Sequence, residues 1–292
     1  MEQQGVAEAV SIVIGSPIHK LTWPSALGRL QEWAASRESR YVCICNVHSV
    51  VTARQDAEFA SILQNADMAT PDGAPVAWLM RRMGTIGQAR INGPDLMALY
   101  CESAAQRGES IYLYGGQQTT LDKLCEILPS RYPGLKIAGA FSPPYRPLTD
   151  EEDEVAVAAI NSSGASTVWV SLGCPKQEVW MAEHRGRVLA PMIGVGAAFD
   201  YHAGVIRRAP MWMQSGGFEW LHRLCSEPRR LWKRYLLTNS LFIYYATRQL
   251  SKRLLVTITP RNKQAVLLMP EPTAVDGLEI RIPLISESKA VD

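Results

Sequence analysis

Short apolar runs alternate with amphipathic stretches along most of this chain. Residues 11–14, 41–45, 110–114, 136–140, 167–172 and 192–195 are runs of strand length. The 3.6-residue spacing between them predicts helices over 25–36, in two pieces up to Asn65, over 75–83, over 119–131 and over 176–189. Thr149 with Glu152 three residues on is a helix-start signature, and Pro94 suits a first helical position. Strands and helices alternating at this spacing predict an α/β fold: a Rossmann-like, mostly parallel sheet with helices on both faces. Such sheets bind ligands beyond the carboxyl ends of their strands, so functional residues are expected just after the runs named above.

The pattern changes after about Tyr201. Arg207, Arg208, Arg223, Arg229, Arg230, Lys233, Arg234, Arg248 and Lys252 are interleaved with Trp212, Trp220, Trp232, Tyr235, Tyr244 and Tyr245. Residues 1–200 read as an α/β catalytic domain and 201–250 as a basic-aromatic helical appendage. Residues 251–292, broken by Pro260, Pro270, Pro272 and Pro283, read as a loosely ordered or strand-like tail. The apolar run 235–246 is too short to span a bilayer, which takes roughly 20 residues. It fits a surface helix that buries leucines shallowly while Arg223, Arg229, Arg230, Lys233 and Arg234 meet anionic headgroups or an acceptor diphosphate. The competing reading is a helix packed on the domain or in a homo-oligomer interface.

Charge adds little. A net charge of +2 over 292 residues, with a pI near 8.2, singles out no partner. No helix-turn-helix or zinc pattern supports nucleic-acid binding. The six cysteines include no C-x-x-C pair, and no basic-then-apolar leader opens the chain. Reduced thiols in the cytoplasm are the expectation, with Cys43 and Cys45 packed inside a strand.

Candidate chemistry follows the strands. Asp72, on the Pro71-Asp72-Gly73 turn before a helical run, suits a general base, or else a turn-and-cap aspartate. Asn46 ends the 41–45 run and either binds a sugar or base or caps the next helix; His48 alone carries little. Arg90 is placed to hold a diphosphate through a bidentate fork, or is a solvated arginine. Gly115-Gly116 reads as a nucleotide loop or a tight turn. In Gly173-Cys174-Pro175-Lys176-Gln177-Glu178, Pro175 can open a helix whose amino end, with Lys176 and Gln177, reads phosphate, ribose or base; the plainer reading is first-turn capping by Gln177 and Glu178. Gly196, in Gly194-Val195-Gly196-Ala197-Ala198-Phe199-Asp200, permits close approach of a ligand or of a packed helix.

Taken together, these motifs resemble the WecG/TagA/CpsF family of bacterial glycosyltransferases (glycosyltransferase family 26), over about residues 12–248. Further carriers of the resemblance are the 90–96 segment, Arg207-Arg208-Ala209-Pro210, Glu219-Trp220-Leu221 and Glu227-Pro228-Arg229-Arg230. The resemblance implies an inverting, metal-independent transferase without cofactor. It would move a sugar from a UDP-sugar donor to a polyprenyl-diphosphate-linked glycan in cell-surface or exopolysaccharide biosynthesis, peripherally bound at the inner face of the cell membrane. It implies Asp72 as the base, Arg90 and Gln177 in the donor and active-site pocket, and Asn46 as the asparagine of a Thr-x-Asn element. Ile44 stands where that element has threonine, so one hydroxyl contact is missing.

A nucleotide-sugar epimerase or dehydrogenase would want a glycine-rich dinucleotide fingerprint and a Tyr-x-x-x-Lys pair, and neither is present. The remaining alternative is a non-catalytic membrane-surface protein that binds lipid-linked glycan.

Overall fold

A computed structural model of the chain describes residues 9–258. In chain order the elements are β1 (Val10–Val13), β2 (Ser16–His19), α1 (Trp23–Ala35), β3 (Tyr41–Cys45), α2 (Val47–Gln55), α3 (Ala57–Gln64), β4 (Met68–Pro71), α4 (Ala74–Arg82), α5 (Gly93–Arg107), β5 (Ser110–Gly115), α6 (Gln118–Arg131), β6 (Lys136–Phe141), α7 (Asp150–Ser162), β7 (Thr167–Ser171), α8 (Lys176–Glu183), β8 (Met192–Gly194), α9 (Ala198–His202), α10 (Met211–Ser215), α11 (Glu219–Ser226) and α12 (Pro228–Ile258). The last six strands form one parallel sheet in the order β4-β3-β8-β7-β5-β6. The α/β expectation therefore holds.

Side-chain alternation along each strand builds two cores, one per face. Tyr41, Cys43, Cys45, Tyr112, Tyr114, Val168, Val170 and Met192 point to one face. There they meet α2, α3, α4, α7, α8 and α12. Val42, Ile44, Ile111, Leu113, Trp169 and Ile193 point to the other, against α1, α5, α6 and α9. Cys43 and Cys45 are buried as expected, and burial pushes both thiols well above the ordinary range.

Three local readings change. The strand expected over 11–14 ends at Val13, because Ile14 and Gly15 both take positive φ and turn the chain into an antiparallel hairpin with β2. β4 carries too few residues to announce itself; it is an edge strand that closes on Pro71, where a missing N–H does little harm. α8 stops at Glu183 rather than at 189: Nδ1 of His184 lies 2.6 Å from the Trp180 carbonyl and its Nε2 2.9 Å from Asp153.

α12 is helical well past 251, where irregular structure was expected; the prolines from Pro260 onward lie outside the described residues. Leu231, Thr238, Phe242 and Ala246 form its buried stripe. Gln249 pins it to the hairpin, accepting from the Ile14 N–H at 2.8 Å and donating to the Ile12 carbonyl. Its other stripe, Leu236, Leu237, Ile243 and Tyr244, is 57–65% exposed. No described helix is long and apolar enough to cross a membrane.

Candidate active site

The carboxyl ends of β4, β3, β8 and β7 lie side by side and carry, in that order, Asp72, Asn46, Gly196 and the 172–175 turn. Asp72 is fixed by its backbone first: its N–H donates to the Cys45 carbonyl at 2.9 Å, tying β4 to β3. Oδ1 then accepts from the Gly73 N–H at 2.6 Å and from Arg90 Nε at 3.3 Å. The side chain keeps 20% of its surface exposed. Burial raises the carboxyl above the usual aspartate value, against the pull of the Arg90 charge. A carboxylate held in one rotamer, partly dry and open on one side, has the properties of a general base.

Arg90 is not a solvated arginine. Its Nη2 meets Glu219 at the start of α11, and Glu219 also lies 3.7 Å from Arg208. Arg208 in turn forms a fork on Asp95, with one arm at 2.8 Å and the other on Oδ1. Asp72, Arg90, Glu219, Arg208 and Asp95 thus alternate in sign across β4, α11 and α5. Glu219, Arg208 and Asp95 were quoted in the sequence motifs but not singled out; only the fold brings them together.

Asn46 is the N-cap of α2, its Oδ1 accepting from His48 N–H at 2.9 Å and Ser49 N–H at 3.2 Å. Its capping role is therefore real, and it stands beside Gly73 at the same rim. His48 is neutral: burial, then the Arg234 charge, lower it to about 4. Ile44 is buried in the sheet, paired across the ladder with Thr70.

Gly115 has φ +96, and a Cβ there would lie 2.6 Å from the Ser171 carbonyl. The close approach of β5 to β7 explains this glycine without a ligand. Gly116 (φ +78) and Gly196 (φ +51) also need the left-handed region, and Ser171 Oγ donates to the Gly196 carbonyl at 2.7 Å.

Pro175 is the N-cap of α8 rather than its first residue. Lys176 is exposed and its Nζ lies 5.1 Å over the Tyr145 ring, so the structure does not bring it to Asp72. Gln177 is buried against Gly194 and Gly196. Gln177 donates to Glu178 at 2.9 Å, and the Glu178 carboxyl also accepts from its own first-turn backbone N–H.

The basic segment divides. Arg229 and Lys233 are exposed, whereas Arg223 and Arg234 are half-buried, each with a buried Nε that has no hydrogen bond among the described residues. Arg230 lies on the same helix, α12.

The model of the family described as "Glycosyl transferase WecG/TagA/CpsF family" matches residues 11–255. An N-acetylglucosaminyldiphosphoundecaprenol N-acetyl-beta-D-mannosaminyltransferase from Bacillus spizizenii is 31% identical over 199 residues, covering 67% of this chain and 74% of that protein.

Proposed function

The chain belongs to the WecG/TagA/CpsF family of glycosyl transferases, and from that premise we propose that it moves a sugar from a UDP-sugar to a polyprenyl-diphosphate-linked saccharide, with inversion and without a metal. The Bacillus relative is named for transfer onto a diphosphoundecaprenol-linked sugar, which supports an acceptor of that class. The observation that carries the reading is Asp72, fixed by Gly73 and Arg90 at a strand end and still open to a ligand.

Inversion takes one in-line displacement. The Asp72 carboxylate accepts the proton of the acceptor hydroxyl as that oxygen attacks the anomeric carbon. The C–O bond to the diphosphate breaks with its electron pair, and UDP leaves. Arg90, Arg223 and Arg234 offset the developing charge in this reading, a task that fixed donors perform well in a partly dry site. Asn46 and Gln177 orient the sugar nucleotide, and Gly116 and Gly196 let it approach the backbone.

An acceptor carried on lipid requires the reaction to run at a bilayer surface, and the face we propose is the cytoplasmic one. The exposed stripe Leu236, Leu237, Ile243 and Tyr244 supplies apolar area for shallow burial. Arg229 and Lys233 beside it face outward, toward anionic headgroups worth about 1 kcal/mol each.

The test is a screen of UDP-sugars for thermal stabilisation, then turnover with a short-chain prenyl-diphosphate-linked acceptor in chelator. Stabilisation by one UDP-sugar, with UDP released only when acceptor is present, supports the transferase. A chain that binds the lipid-linked glycan but neither UDP nor any UDP-sugar is a non-catalytic glycan-binding protein instead.

A further inference from the structure

Glu178 is buried to 1% exposure in the first turn of α8, an unusual place for a carboxyl group. Its neighbours include the thiols of Cys43, Cys45 and Cys174, and among the described residues no cation pairs with it. Such a group is costly to bury, and its retention calls for a role. One oxygen, Oε1, accepts from Gln177 Nε2 at 2.9 Å. Gln177 is itself buried, and its amide oxygen has no hydrogen-bond partner among the described residues. The amide lies along β8: a Cβ at Gly194 would stand 3.0 Å from Nε2, and one at Gly196 would stand 3.6 Å from Oε1. Gly194 thus makes room for this side chain, and Gly196 lies in ordinary contact with it, at the end of β8, one strand from Asn46 and two from Asp72.

When ionised, this carboxylate can only accept, and it then selects one of the two faces of the neighbouring amide. Turned the other way, Gln177 would set its oxygen against the Glu178 oxygen. We propose that Glu178 is a positioning residue for the transfer reaction assigned above: it locks the Gln177 amide so that its oxygen faces the β8 carboxyl end as the acceptor for a hydroxyl or N–H of the donor sugar nucleotide. The orphaned Gln177 oxygen is then satisfied by the bound donor, and a donor lacking that hydrogen is discriminated against.

The inference rests on the transferase reading, and a double-mutant cycle separates the two. Wild type, Gln177→Ala, Glu178→Leu and the double variant are assayed with UDP-N-acetylmannosamine and a short-chain prenyl-diphosphate-linked N-acetylglucosamine, with circular dichroism as the folding control. Glu178→Met repeats the cycle with different packing, and Glu178→Gln keeps an acceptor oxygen. The expected result is a loss of about 10- to 100-fold in kcat/KM for Glu178→Leu, the scale of one or two hydrogen bonds, and none beyond it once Gln177 is Ala. Glu178→Gln should restore most of the activity. An equal loss in both Gln177 backgrounds overturns the proposal, as does wild-type turnover in folded Glu178→Leu. So does a chain that folds as Gln177→Ala but with neither apolar residue at 178, since Glu178 is then structural. If wild type does not turn over this pair, the donor and acceptor are wrong, and the same coupling is read from thermal stabilisation by UDP. Additive effects there overturn the positioning role, and no stabilisation of wild type by UDP ends both readings.

Discussion

Arg90 joins Asp72, 18 residues before it, to Glu219, 129 residues after it. One guanidinium therefore bridges the base proposed at the end of β4 and the first turn of α11. Through Arg90, the segment after Tyr201 shares an ion-pair partner with the proposed base Asp72.

Asp72→Asn keeps the hydrogen-bonding shape but removes the proton acceptor. Transfer should fall by at least about 10²-fold, in the range of general-base losses, with an unchanged circular dichroism spectrum. Wild-type-like turnover in the purified variant would remove Asp72 from the mechanism.

The proposed base works only when ionised, and burial lifts its pKa. The rate kcat/KM should therefore decline on acidification at a pH above the ordinary aspartate value of 3.8. A pH–rate profile whose acid limb is unshifted would contradict this placement.

Glu178, raised by burial like Asp72, gives a stability signature. Burial lifts its carboxyl from 4.5 to about 7. Between those values the folded chain binds more protons than the unfolded one, so stability falls as pH rises and levels off above about 7. The drop attributable to this group is roughly 3 kcal/mol, and Glu178→Gln should flatten it. Urea titrations of both proteins from pH 4.5 to 8 provide the comparison; parallel curves would show that Glu178 does not titrate in this window.

Glu219→Ala leaves Arg90 and Arg208 without their shared carboxylate. The expected cost is about 1–2 kcal/mol, modest because the network is partly exposed. Activity should fall further than stability, since Arg90 loses one of its two anchors. A variant that loses stability while keeping full kcat would make the network purely structural.

The two stripes of α12 should behave oppositely. Leu236→Glu with Leu237→Glu alters exposed residues only, so Tm should hold while flotation on anionic vesicles is lost. Phe242→Ala cuts into the core and should cost about 3–5 kcal/mol, with the exposed stripe intact. Undiminished flotation of the double glutamate variant would mean that this stripe meets protein rather than lipid.

The sequence by itself determined the alternation of strands and helices, because buried parallel strands read as apolar runs and their covering helices as 3.6-residue stripes. It also placed Asn46, Gln177 and Gly196 just after strands, where ligands meet such sheets, and Asp72 on a turn before a helix. It did not reveal β4, four residues on an edge with a proline at the end, or the hairpin turn at Ile14 and Gly15. Nor did it distinguish Lys176 from Gln177: adjacent in the chain, they leave a helix about 100° apart, and one goes to solvent while the other packs beneath Gly196. Only the tertiary structure decided that Arg90 is an anchored residue, that Glu219 and Arg208 belong with Asp72, and that the basic segment splits into inward and outward cations. Local periodicity is written in neighbouring residues, whereas an ion pair across 129 residues exists only once the sheet order has brought its partners together.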